Sequence, residues 1–372
     1  MNVPLLDLRL QHRAIEREVM ARVMAVVESQ HFILGGLVLE LEAAIAGLSQ
    51  ARFGVGVASG TDALLLPLEA LDLAPGDEVI TTPFSFFATA GTIHNAGARP
   101  VFVDIEPGTY NIDIAQVEAA LTPRTRAVMP VHLFGQMAAM ERLMPLAERH
   151  GFAVLEDACQ AIGARRKVGG VWRTAGELGT ASGFSFFPTK NLGGWGDGGM
   201  VVTSDQRMAD RVRSLRMHGG TRTYYHDEVG TNSRLDALQA AVLLAKLPHL
   251  GAWSAARRAN AAGYDAALAG LDGVRTPATD PANEHIFHQY VIAAERRDAL
   301  QEHLQTAGVG TAVYYPLPLH QQRCFAYLGY TAGAFPVSEA AARSVLALPI
   351  YPEVTEEQRA YVVRSIRSFY GR

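Results

Sequence analysis

Between residues 54 and 203, short apolar runs alternate with amphipathic stretches, and no other feature narrows the possible folds as much. The runs at 54–57, 79–82, 100–104, 127–131, 152–156, 182–187 and 200–203 have the length of buried strands. Helical spacing fills the intervals, notably after Gly60, from 86 to 96 and from 138 to 150. Such repetition builds a mostly parallel central sheet with helices on both faces, so the expected class is α/β.

Helices also flank this block. Ile15, Val19, Val23 and Val26 mark a first one, and Leu41, Ile45 and Leu48 a second. Ser233-Arg234-Leu235-Asp236 has capping-box form and opens a helix that stops at Pro248, with Leu235, Leu238, Val242 and Ala245 on one face. A long helix over 253–268 then leads through Thr276-Pro277-Ala278-Thr279-Asp280-Pro281 to a strand at 287–292, a helix at 298–307 and a closing helix after Thr355. With 372 residues, the expected division is a large unit over 1–250 and a smaller C-terminal α+β unit over 251–372.

Apolar residues make up 49% and charged residues 19%, as expected for a globular enzyme with a sizeable core. The net charge of −4 comes without a basic block, which argues against nucleic acid or an anionic membrane as partner. Cys159 and Cys324 are too few and too far apart for a disulfide framework, and the N-terminus lacks a signal-peptide pattern, so the expected compartment is the cytoplasm. No run of about eighteen apolar residues suggests a membrane span. The 12 histidines show no metal-ligand spacing, and no metal is assigned.

Four stretches carry chemistry. Lys190 stands between the end of an apolar strand and the turn Gly193-Gly194-Trp195-Gly196-Asp197-Gly198-Gly199, where its ammonium is partly desolvated; a desolvated amine has a lowered pKa and becomes a nucleophile. The turn precedes a strand and opens no helix, so it is not a dinucleotide fingerprint. Ser59-Gly60-Thr61-Asp62 follows a strand and opens a helix, which aims free N–H groups and the helix dipole at an anion. Asp157, at the carboxyl end of the strand at 152–156, needs a positive partner if buried, and a protonated pyridine nitrogen would serve. Thr82-Pro83-Phe84-Ser85-Phe86-Phe87-Ala88-Thr89 brings aromatic rings to the same edge. Taken singly, each also fits a plainer role: a surface lysine, an ordinary N-cap, a structural aspartate, core phenylalanines.

In chain order, as phosphate cradle, aromatics, Asp157 with Gln160, and Lys190, the four resemble the parts of a pyridoxal phosphate site, and the chain resembles the DegT-like sugar aminotransferases of fold type I nearly end to end. The resemblance includes His31-Phe32-Ile33-Leu34-Gly35, Val131-His132-Leu133-Phe134-Gly135, Glu156-Asp157-Ala158-Cys159-Gln160-Ala161, Phe184-Ser185-Phe186-Phe187-Pro188-Thr189-Lys190, His218-Gly219, Asn232-Ser233-Arg234-Leu235-Asp236 and Tyr314-Tyr315-Pro316 with His320. It implies pyridoxal 5'-phosphate, passing through pyridoxamine phosphate in turnover, with Lys190 as its covalent anchor and proton carrier and Asp157 on the pyridine nitrogen. Gln160 would bond the ring hydroxyl, Phe86 would stack on the ring, and Ser59, Gly60, Thr61 and Ser185 would hold the phosphate. Asn232 would reach the phosphate of a neighbouring subunit in a homodimer, and Tyr315 and His320 would face the substrate. That substrate would be a nucleotide-linked keto sugar, with L-glutamate as amino donor. The Tyr224-Tyr225-His226-Asp227-Glu228 stretch leans toward carbon 3 of a UDP-linked sugar. Cys159 and Ser233 depart mildly from the family pattern. Two other readings compete: a sugar dehydratase of the same family, whose members have His where Lys190 stands, and a sensor or regulatory protein that keeps the fold without turnover.

Overall fold

A computed structural model describes residues 1–220, 222 and 224–371. Its helices are α1 (Leu8–Ser29), α2 (Gly36–Leu48), α3 (Gly60–Glu69), α4 (Ala88–Asn95), α5 (Ile114–Ala120), α6 (Met140–His150), α7 (Gln206–Leu215), α8 (Ala237–Lys246), α9 (Leu250–Leu268), α10 (Arg297–Thr306), α11 (Pro336–Ser344) and α12 (Glu356–Phe369). The strands of the main sheet are β1 (Phe53–Val57), β2 (Glu78–Thr81), β3 (Arg99–Phe102), β4 (Thr125–Val128) and β5 (Ala153–Asp157). After the hairpin β6 (Arg165–Val168) and β7 (Val171–Thr174), the sheet resumes with β8 (Ala181–Ser185) and β9 (Gly199–Thr203).

The seven strands lie in the order β1-β9-β8-β5-β4-β2-β3. Every pairing is parallel except the two made by β9, which runs against β1 and β8. Its reversal follows from its connection: no helix separates β8 from β9, so the chain folds straight back through the glycine-rich turn, as an antiparallel link allows. Successive residues of each strand are buried on opposite faces. Val154, Val128, Ile80 and Val202 join one cluster with residues of α2, α6 and α8, while Leu155, Ala127, Val79 and Val201 join another with α3 and α7. The sheet is thus covered on both sides, and its strand ends form the one edge where polar side chains can gather.

After α9 the chain forms β10 (Val274–Arg275), β11 (Asn283–Glu284), β12 (Tyr290–Ala294) and β13 (Val345–Leu348). β12 lies between β10 and β13 in an antiparallel sheet, over a core that includes Tyr264, Leu300, Val362 and the N-terminal Val3. β11 joins the hairpin of β6 and β7 in a third sheet, which the sequence pattern did not suggest. That sheet is hard to see because β6 is Arg165-Arg166-Lys167-Val168; Arg166 is buried only because Glu141 (2.6 Å) and Asp280 (2.9 Å) pair with it.

Two expectations shift. The capping box at Ser233 does not form: α8 starts at Ala237, and the Ser233 hydroxyl instead donates to Asp62 Oδ2 at 2.7 Å, tying this segment to the first turn of α3. A capping box is present at Thr355 and Gln358, where α12 opens. As expected, α8 stops at Lys246 just before Pro248, and a 3-10 turn over Leu247–His249 leads into α9. The strand expected at 287–292 begins at Tyr290, since Phe287 has φ 46° and folds back to stack on His285 at 3.9 Å.

Candidate active site

A cleft of about 440 Å³ opens at the carboxyl ends of β1, β5 and β8. One wall is the start of α3. Ser59 caps it, its hydroxyl accepting from the Asp62 N–H at 3.1 Å. The N–H groups of Gly60 and Thr61 belong to the first turn and have no carbonyl a turn back to bond. Both residues line the cleft, so those donors and the helix dipole serve an anion. Glycine is required at 60 because a Cβ there would stand 2.5 Å from Ser185 Cβ, and this close approach brings the end of β8 beside the α3 terminus.

The floor is the end of β5. Asp157 is buried, its Oδ2 accepting from Thr89 Oγ1 at 2.7 Å and its Oδ1 from the Cys159 N–H at 3.3 Å. Because Thr89 gives its proton to the carboxylate, the 2.8 Å contact with Ser85 is a donation from Ser85 to Thr89. No cation among the described residues pairs with Asp157. Next to it, Glu156 points to the other face and has all its partners in the protein: His132 Nε2 at 2.7 Å and the N–H groups of Gly176, Leu178 and Gly179. The Ala138 N–H donates to His132 Nδ1, so the His132 proton is on Nε2 and points at Glu156. Burial alone would raise the Glu156 pKa, but these donors outweigh it and hold it below the usual value.

Lys190 reaches the cleft from the β8–β9 turn. Protein atoms surround its partly exposed side chain, and burial lowers its pKa against the opposing pull of Cys159 and Asp157. No residue among those described accepts a hydrogen bond from its Nζ. Cys159 is inert by the same logic, since burial and then Asp157 push its thiol well above the usual range. Gln160 is fixed from both ends: Oε1 accepts from the Phe134 N–H at 2.9 Å, and Nε2 donates to the Tyr315 hydroxyl at 3.0 Å. Phe86 faces the cleft, whereas Phe84 is in the core and Phe87 stacks on Phe325 at 5.6 Å.

The structure therefore gathers Ser59, Gly60, Thr61, Phe86, Asp157, Gln160, Ser185, Lys190 and Tyr315 in one cleft. Two expected residues lie elsewhere. His320 is not on the cleft wall: the Leu319 N–H bonds the Pro83 carbonyl, and the His320 ring turns inward against Phe335, bonded to Glu339 at 3.1 Å. Asn232 is exposed, away from the cleft of its own chain. Sequence reasoning missed Thr89 and His288. His288 lines the cleft, and burial, then the charge of Lys190, holds its pKa well below the usual value. Among the described residues, no cluster of His, Cys, Asp and Glu could hold a metal ion.

The family model of DegT/DnrJ/EryC1/StrS aminotransferases matches residues 13–367. The chain belongs to that family. Among its relatives, a Geobacillus stearothermophilus protein named pleiotropic regulatory protein is 53% identical, over 100% of this chain and 99% of its own. An Acidithiobacillus ferrooxidans protein named UDP-N-acetyl-3-dehydro-alpha-D-glucosamine 3-aminotransferase is 47% identical, over 98% of this chain and 97% of its own. The crystal structure of S. venezuelae DesV in complex with a ketimine intermediate superposes with a TM-score of 0.96 at 42% identity, covering 100% of this chain and 99% of that one. Aminotransferases of the DegT family use pyridoxal 5'-phosphate. The cleft fits that group: an anion cradle at α3, a buried carboxylate without a cation, an aromatic face, and an amine whose proton is weakly held.

Proposed function

We propose that this member of the family aminates the keto carbon of a nucleotide-linked sugar, and that its own substrate is a UDP-linked 3-keto hexose with L-glutamate as amino donor. The observation that carries the proposal is the convergence of Lys190, Asp157 and the α3 terminus on one cleft. The finer choice of sugar is supported by the Acidithiobacillus relative, whose name gives a UDP-linked 3-dehydro sugar, and by the Tyr224–Glu228 stretch.

When bound, pyridoxal phosphate supplies an electron sink for the pair left when a C–H bond next to nitrogen breaks. The protein's residues divide the remaining work. Asp157, oriented by Thr89, would keep the proton on the ring nitrogen. Gly60 and Thr61, with the hydroxyls of Ser59, Thr61 and Ser185, would hold the phosphate, and Phe86 would cover one ring face. Gln160 Nε2 has a second hydrogen beyond the one given to Tyr315, and this would bond the ring hydroxyl. Lys190 Nζ, its pKa lowered by burial, would anchor the aldehyde, then take up a proton from one carbon and return it to another. Tyr315 would border the sugar. Asn232, off its own cleft, would complete the partner's phosphate site in a homodimer, and the enzyme would act in the cytoplasm.

A dehydratase does not need the lysine that this cleft holds. A purely regulatory role, which the name of the Geobacillus relative raises, needs neither the amine nor the buried carboxylate. The test is a mass-spectrometric assay of the holoenzyme with glutamate against UDP-, dTDP- and GDP-linked keto sugars. The expected result is a mass change for ketone-to-amine conversion on a UDP-linked 3-keto sugar. Turnover of dTDP sugars alone would remove the finer choice, and no turnover of any would remove the proposal.

A further inference from the structure

Five of the seven residues from Gly193 to Gly199 are glycine, and a chain of that composition is costly to hold in one shape. Yet this segment aims Lys190. It closes on itself through two 2.8 Å bonds, Lys190 N–H to the Phe187 carbonyl and Gly194 N–H to the Phe186 carbonyl. The fold-back is tight enough that a Cβ on Gly193 would collide with the Pro188 carbonyl. On one side Asn191 Nδ2 donates to the Ile286 carbonyl at 3.2 Å, and Asn191 Oδ1 accepts from His288 Nδ1 at 3.3 Å.

The other side is held by α8. Lys246, in its last turn, is buried and donates from Nζ to the Gly193 carbonyl at 2.6 Å. Burial lowers its pKa to about 8, and no carboxylate among the described residues pairs with it. A buried ammonium satisfied by one carbonyl is a poor way to stabilise a helix. Gln239 is two turns earlier on the same face, and its Oε1 accepts from the Trp195 N–H at 2.8 Å. Both bonds fall just beyond Lys190 in the chain.

We propose, taking Lys190 as the reactive amine, that Lys246 and Gln239 are positioning residues for Lys190: from one face of α8 they clasp the glycine-rich turn at Gly193 and Trp195, and so fix where the Lys190 amine stands. Neither touches substrate. Their work is to remove the freedom that the glycines would otherwise give the loop.

The experiment uses holoenzyme of the wild type, Gln239→Leu and Lys246→Met. Each is reduced with borohydride, and the fraction of cofactor fixed to the Lys190 peptide is measured by mass, beside kcat, KM and Tm. The expected result is a lower fixed fraction and a kcat reduced by ~10-fold or more, with KM for the nucleotide sugar little changed, since a misplacement of about 1 Å can cost ~10²-fold in rate. The two effects should be non-additive in the double variant, because both residues hold one loop. If the variants fold and keep the wild-type fixed fraction and kcat, or lose only Tm, the positioning role is wrong. If Lys246→Met does not fold, Gln239→Leu, which leaves no buried charge unpaired, decides alone. Failure of the aminotransferase proposal would look different, because the wild type itself would then turn over no keto sugar, whatever the state of the turn.

Discussion

Glu156 and Asp157 are neighbours on one strand, both acidic and both buried, and their surroundings differ completely. Glu156 accepts from His132 and three backbone N–H groups, so its charge is fully answered inside the protein. Asp157 accepts from one hydroxyl and one N–H and makes no ion pair among the described residues, so part of its charge is left for whatever enters the cleft. Burial by itself does not distinguish a structural acid from a functional one. What distinguishes them is whether the protein has already satisfied the group.

The difference can be broken from either side. The largest effect is expected at Glu156→Ala, which strips the partner from a buried histidine and three N–H groups; the loss of stability should be roughly 3–5 kcal/mol, read from denaturant midpoints. A change below about 1 kcal/mol would mean that Glu156 is not the structural member of the pair. Asp157→Ala should do the opposite, leaving the fold intact while kcat falls ~10²–10³-fold, the size of a lost transition-state electrostatic contact. Near-normal turnover would mean that the ring nitrogen lies elsewhere. Thr89→Val, nearly isosteric, removes the hydroxyl that orients Asp157, and should cost about 1.5–3 kcal/mol of transition-state stabilisation, the range for a hydrogen bond to a charged group. Thr89→Ser should recover most of it. Equal loss in both variants would assign Thr89 to packing.

Why Asp157 could be found from sequence and Thr89 could not is a matter of locality. Asp157, Ser59, Gly60, Thr61, Ser185 and Lys190 stand at strand ends or in the turns that follow, where the α/β pattern already says that ligands bind. Thr89 is in the first turn of a helix, where threonine is unremarkable, and only the folded chain brings the start of α4 to the carboxylate at the end of β5. The clasp of Lys246 and Gln239 on the Lys190 turn is hidden for the same reason, since it joins residues some fifty positions apart. His320 failed in the other direction. Its motif suggested a substrate contact, but a carboxylate on α11 and the ring of Phe335 hold it in the interior. The strands of the main sheet were legible because burial on both faces leaves continuous apolar runs, whereas their order was not read from the sequence. The hairpin of β6 and β7 was not, because its basic residues are neutralised by acids distant in sequence.

The most direct measurement is made on the wild-type holoenzyme. Reduction with borohydride, digestion and peptide mass mapping should place the cofactor's added mass on Lys190, with the visible absorbance of the bound cofactor lost in step. Mass on any other lysine, or a cofactor that stays dialysable after reduction, would contradict the assignment of Lys190 as the residue on which this site is built.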